Sequence, residues 1–483
     1  MPNAIATEAG VWARGRKGDR RFVQNGPLFF VPRLLWILAA VITLLLPTSE
    51  DGISLMVILS ISWMVSVVQR RGGPFLTPSG VYFLAGGIFV GVAGFYLLGV
   101  DSTASSIDQL HGTIILAFSL TVLTELVAAL FCIKWKVEWE RPEKPDINTS
   151  DFRPPVQFML RGVVLVVVSR LPVIIALNYE LATALGLAGM VILSMSALSY
   201  RRRIRWLGDL LIVAAGFAIP VFWVSEVFKG GGRLTVAGLG IALMMIWNMI
   251  RASGAHKLVL LLAIPVFLIG SGFNRLDKIE REYGVVAEAN TSDVISSGAG
   301  LESVYDPIDK FGYILSEPNY PGGGTIGPRY GATFVNSLFM PIPRSMWETK
   351  PKGFGAELTE LITPQLVRIN QSWAALFYSE WYANFGYVGL AIAPVAVGWF
   401  IARLDRTHAR LARSRLATPK DWWDTVVLVC LVTSLGDLFW AGTFTYYTRG
   451  GMAAIVAWVV GKISQVRLRS ISTNIRAVMV TAR

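Results

Sequence analysis

Charge is scarce in this chain. Only 16% of its 483 residues are Asp, Glu, Lys or Arg, while 53% are hydrophobic. A soluble globular protein carries about 25% charged residues, so this chain lacks the polar surface to cover itself in water. The class that remains is a polytopic membrane protein. Cysteine is nearly absent: Cys132 lies at the end of one hydrophobic run and Cys430 inside another. That excludes a disulfide framework and any zinc-ligand spacing, and no metal or cofactor is expected. The net charge of +12 does not point to nucleic acid. The basic residues cluster in short loops at the ends of hydrophobic runs, as orientation signals do.

What the chain does have is long apolar runs. Windows of about twenty apolar residues cross a hydrocarbon core about 30 Å thick. They fall at 28–47, 52–69, 79–99, 110–133, 157–178, 181–199, 207–228, 233–251, 257–273, 386–403, 423–440 and 450–463. The first is too long for a signal-peptide core and lacks a small-residue cleavage site, so it reads as a retained span. The expected fold is all-α and polytopic, with about twelve transmembrane helices and one large extracytoplasmic loop between the ninth and tenth. The expected layout is a cytoplasmic tail 1–27, spans one to nine over 28–273, the loop over 274–385, spans ten to twelve over 386–463, and a tail 464–483.

Orientation follows from Lys and Arg on alternate sides. One side gathers Arg14 to Arg21, Arg70 and Arg71, Lys134 to Arg153, Arg201 to Arg205, Arg251 and Lys257, Arg403 to Lys420 and the C-terminal tail. The opposite short loops hold Lys229, Arg233 and Arg449. By the positive-inside rule both termini are cytoplasmic and the long loop faces out. No internal repeat of the kind expected for an inverted-repeat transporter is apparent.

The polar loop carries the two densest motifs, PIPRSMWETKP (341–351) and SEWYANFGYVG (379–389). Pro341 and Pro343 stiffen the backbone before Arg344, Trp347 is amphipathic and suits an interface, and Lys350 adds a second cation. Two cations on a stiff interfacial segment suit a diphosphate; a surface turn with an aromatic anchor is the plain alternative. Residues 371–385 read as a helix that puts Trp373, Phe377, Glu380 and Asn384 on one face. Glu380 then serves as a desolvated general base, or else pairs with an arginine to fix the loop. Gly386 and Gly389 are expected to allow close packing of the tenth span. The turn-rich stretch 318–331 reads as a flexible loop, with an anion-binding nest as the lesser alternative.

Charges inside spans are functional hypotheses by default. Arg170 precedes Leu171-Pro172, where a kink is expected, and sits in the outer half of the fifth span. Arg161 is expected to snorkel, Asp437 and Arg449 to pair, and Glu125 has no evident partner. His256 and His408 are expected in cytoplasmic loops, which leaves His111, at the outer mouth of the fourth span, as a candidate base or a merely solvated group.

The two motifs together resemble those of the O-antigen or oligosaccharide repeat-unit polymerases (Wzy-like). There a Pro-Arg-x-x-Trp-x-x-Lys-Pro element precedes a Glu-x-Tyr-x-Asn-x-Gly element in or after a large periplasmic loop. Matching residues are Pro343, Arg344, Trp347, Lys350 and Pro351, then Glu380, Tyr382, Asn384 and Gly386; Glu348 stands where the pattern has proline. The resemblance implies a metal-independent glycosyltransferase of the inner membrane. It would join polyprenyl-diphosphate-linked oligosaccharides, alongside a flippase and a chain-length regulator. Glu380, Arg344 and His111 are the catalytic candidates; Lys350, Arg170, Trp347, Tyr382, Asn384 and Arg449 are the substrate-binding ones. An O-antigen ligase relative and a lipid-linked oligosaccharide flippase or transporter stand as alternatives.

Overall fold

A computed structural model describes residues 77–99, 108–134, 156–201, 245, 302–316, 328–343, 345–362, 372–374, 376–414 and 418–464. The expected spans at 28–47, 52–69, 207–228 and 257–273, both tails apart from Ser464, and Arg344 lie outside the described residues, as does the span at 233–251 apart from Met245. Among the described residues the chain forms helices and turns and no strand.

The helices are α1 (Pro78–Gly99), α2 (Asp108–Lys134), α3 (Val156–Ser169), α4 (Pro172–Leu177) and α5 (Tyr179–Arg201). The polar segment contributes α6 (Glu302–Ser316), α7 (Ala332–Leu338) and α8 (Phe354–Ile362). Then come α9 (Phe377–Ser414), α10 (Pro419–Thr433) and α11, which begins as Leu435–Tyr446 and runs through a π-helical turn, Tyr447–Gly451, to Ser464. Gly112–Cys132, Tyr179–Ala197 and Phe377–Ala412 are each long and apolar enough to cross a membrane, and α10 with α11 makes a fourth candidate bent by 80°. The chain is an α-helical membrane protein.

Two helices start on the same signal. Thr77-Pro78 and Thr418-Pro419 place a capping hydroxyl before a proline whose missing N–H is an orphan anyway. Thr77 Oγ1 accepts from Gly80 N at 3.1 Å, and Thr418 forms a reciprocal capping box with Asp421. Asp405 of α9 also accepts from Ser79 N at 2.9 Å, tying the start of α1 to α9.

α9 packs along α2, α6 along α2 and α1, α11 along α1, and α3 against α5. The last pair crosses closely: a Cβ at Gly189 would meet the Gly162 carbonyl at 2.8 Å, the small-residue contact by which membrane helices approach. Val156, Leu160, Val163, Val164 and Val167 leave a broad apolar face of α3 uncovered, suited to lipid.

The kink expected at Leu171-Pro172 is present, as a full break: α3 ends at Ser169, and Arg170-Leu171 separate it from α4, because Pro172 cannot donate to the turn before it. Several expectations are corrected. The eleventh span is split at Ser434, so its second half belongs to α11. The tenth begins earlier and continues to Ser414, which puts His408 on a helix and buried rather than in a loop. Residues 372–374 precede α9 as irregular chain, so Trp373 does not share the helical face of Phe377, Glu380 and Asn384.

Candidate functional site

The first turns of α9 carry SEWYANF, and each side chain meets a different neighbour. Trp381 turns to Phe334 of α7 (centroids 5.1 Å) and Phe385 (5.9 Å). Tyr382 lies against Phe311 of α6 (6.1 Å) and Tyr387 (5.2 Å). Asn384 is fully buried and joins α9 to the 328–333 stretch: its Nδ2 donates to Thr333 Oγ1 at 2.7 Å, and its Oδ1 accepts from Gly331 N at 2.9 Å. Backbone contacts add to this, with Arg329 N donating to Ala383 O and Tyr330 N to Asn384 O, both at 3.0 Å.

Those carbonyls are available because α9 breaks at Gly386 (φ 61°, ψ −147°), a conformation essentially reserved for glycine. A Cβ at Gly389 would collide with the Trp381 carbonyl. These two glycines therefore make the bend rather than a helix–helix contact, which corrects the packing role expected of them.

Glu380 is 1% exposed. Its Oε2 accepts from Thr443 N at 2.6 Å, and the side chains of Thr333 and Thr443 flank the group. Thr443 N is free because α11 breaks immediately before it, at Gly442 (φ 78°, ψ −173°). The carboxylate thus caps the positive end of the helix that restarts there. Glu380 Oε1 is buried with no hydrogen-bond partner among the described residues, a costly arrangement for an acceptor.

The PIPRSMWETKP turn is pinned from two sides. Lys350, 5% exposed, donates from Nζ to Met340 O at 3.0 Å and Ile342 O at 2.8 Å. Asn178, between α4 and α5, donates from Nδ2 to Met340 O at 3.1 Å and Pro341 O at 3.0 Å, while its Oδ1 caps α5 by accepting from Leu181 N at 2.9 Å. Trp347 folds onto its own loop, with Nε1 donating to Thr349 Oγ1 at 3.0 Å and its ring edge-on to Phe339 at 5.3 Å. The Lys350 ammonium holds backbone carbonyls here, so its place is the support of the turn, with Pro343 and Ser345 on either side of Arg344.

α7 links the two motifs. Its start is bonded to Asn384, its end leads straight into Met340–Pro343, and at ~1.5 Å per residue it is about 10 Å long. Arg170 stands at the break between α3 and α4, eight residues before Asn178. His111 falls in the first turn of α2. Arg449 lies in the π-helical turn and pairs with the fully buried Asp437.

Sequence reasoning missed Arg329, Asn178, Thr333 and Thr443. Arg329 stands on the stretch clasped by Ala383 and pairs with Glu357 of α8 at 3.2 Å. Burial pushes the Glu357 carboxyl above the ordinary range, and the Arg329 guanidinium opposes that. The available signal was GPRYG (327–331), a basic residue in a turn ahead of a short helix. No known family model, curated protein or solved structure matches this chain.

Proposed function

We propose that the protein is a membrane glycosyltransferase that polymerises polyprenyl-diphosphate-linked oligosaccharide repeat units at the outer face of the cytoplasmic membrane. In this reading twelve spans place both termini in the cytoplasm and the polar segment outside. One observation carries the chemical part: a buried carboxylate, Glu380, keeps one oxygen unpartnered while α7 ties its helix to the turn that holds Arg344. Glycosyl transfer needs a base for the acceptor hydroxyl and cations for the departing diphosphate. Glu380 takes the hydroxyl proton as the oxygen attacks the anomeric carbon. Arg344 holds the leaving diphosphate as the anomeric C–O bond parts, with Arg170, at the break between α3 and α4, as a second cation. Lys350 and Asn178 keep the arginine-bearing turn in place.

The test is deletion of the gene followed by separation of surface polysaccharide by length. Single repeat units without a ladder support the polymerase. Long polymer stranded on its lipid carrier identifies a ligase, and repeat units trapped on the cytoplasmic side identify a flippase; either result removes the proposal.

A further inference from the structure

We propose that Glu125 is a positioning residue for the transfer reaction: through two tyrosine hydroxyls it sets the turn carrying Glu380 against the break in α11. The proposal rests on the reading of Glu380 as the base. Glu125 lies on α2 and is 6% exposed, and a carboxyl group inside a membrane span is costly enough to imply a task. Its Oε1 accepts from Tyr82 Oη of α1 at 2.8 Å and from Tyr378 Oη of α9 at 2.7 Å. Both tyrosines are fully buried.

Tyr378 stands two residues before Glu380 in the first turn of α9. Both rings also meet Phe439 of α11 edge-on, with centroids 6.1 Å and 6.4 Å away. Phe439 lies three residues before Gly442. Near the turn that carries Glu380, α9 and α11 therefore meet at Tyr378–Phe439 and at Glu380–Thr443, with Glu125 behind the first contact. Gly86 of α1 leaves the room this needs: a Cβ there would stand 3.2 Å from Glu125 Oε2 and 3.4 Å from Phe439 Cε2. Holding three helices together does not require a carboxyl, since apolar side chains of similar volume do so without desolvation. What the carboxyl adds is one fixed register for the two hydroxyls.

The test follows chain extension by the full-length protein in lipid vesicles, using lipid-linked repeat units extracted from the deletion strain. Glu125→Leu is expected to lower kcat on the order of a hundredfold, and Tyr378→Phe about tenfold, with KM unchanged, as misplacement of a base does. Glu125→Gln, whose carbonyl still accepts both hydroxyls, is expected to restore most of kcat. A raised KM with intact kcat, or equal kcat in the Leu and Gln variants, overturns the proposal. If the Leu variant fails to accumulate in the membrane, Tyr378→Phe decides in its place, and wild-type kcat there is fatal. Glu380→Gln is run alongside: activity in that variant removes the base itself, whereas its inactivity beside a normal Tyr378→Phe removes the positioning role only.

Discussion

Glu380 accepts the backbone N–H of Thr443 at 2.6 Å, 63 residues away in the chain, because Gly442 interrupts α11 just before that amide. The bond fixes one carboxylate oxygen and leaves the other, Oε1, buried without a partner among the described residues. A group held that way is oriented before any substrate arrives, which is the requirement for a base that acts without reorganisation.

Glu380→Gln keeps the volume and the Thr443 contact but removes the basic oxygen. Chain extension is expected to fall by about 10²–10⁴-fold, the usual contribution of general base catalysis, with normal abundance in the membrane. Arg344→Ala is expected to abolish extension as well. Polysaccharide ladders from complemented deletion strains check both, and a full ladder takes the residue out of the site.

Gly442→Ala forces a side chain into a conformation that costs roughly 1–3 kcal/mol. The restart of α11 is then expected to shift, and Thr443 N with it. Activity should fall while a conservative change on the lipid face, Val163→Leu, leaves it unchanged. Equal activity in the two variants would count against a role for the break.

Asn178 and Lys350 hold carbonyls of the same short turn, Met340–Ile342. Asn178→Ala and Lys350→Met are each expected to loosen the turn and speed tryptic cleavage after Arg344 in detergent-solubilised protein. Cleavage rates identical to wild type would show that the turn is held by other means.

Glu357 has a raised pKa in the folded protein, burial outweighing the nearby Arg329. A carboxyl raised in this way binds more protons folded than unfolded, so the stability it contributes is present at low pH and lost as pH rises past the ordinary carboxyl value. Glu357→Gln is expected to melt higher than wild type at neutral pH, with the difference shrinking toward pH 4. Thermal unfolding across that range reads the sign directly.

A reporter fused after Ser297 is expected to register as extracytoplasmic, and a cytoplasmic signal there would overturn the orientation and with it the substrate's location.

Hydropathy finds α1, α2 and α5 within two residues at each end, because an apolar run of span length has few other uses. It misses the end of α9, since RLDRTHARLARS leaves the apolar layer without leaving the helix. Pro172 announces the break after α3, but the 80° bend at Ser434 lies in LVTSLGD, with no proline to mark it. Gly442 is equally silent in LFWAGTFTYY, where glycine is ordinary for a membrane helix. The site is legible as motifs and opaque as roles. Lys350 shows a charge in the sequence, but the carbonyls it serves ten and eight residues earlier are a product of folding. Glu125 looked partnerless because its two donors come from helices 43 and 253 residues away.

Ile308, Phe311, Met340, Leu376 and Phe377 share one buried cluster with residues of α1, α2, α9 and α11. The polar segment has only a small interior of its own, Tyr313, Ile314, Phe354, Leu358 and Ala383, among the described residues, and shares the larger cluster with the membrane helices. During synthesis it emerges before α9 and α11 exist, and it waits for them to complete its packing. Cut free, residues 302–362 would expose the Ile308, Phe311 and Met340 surface that packs against the membrane helices. Attempts to study this stretch as a secreted fragment would thus begin from the wrong unit.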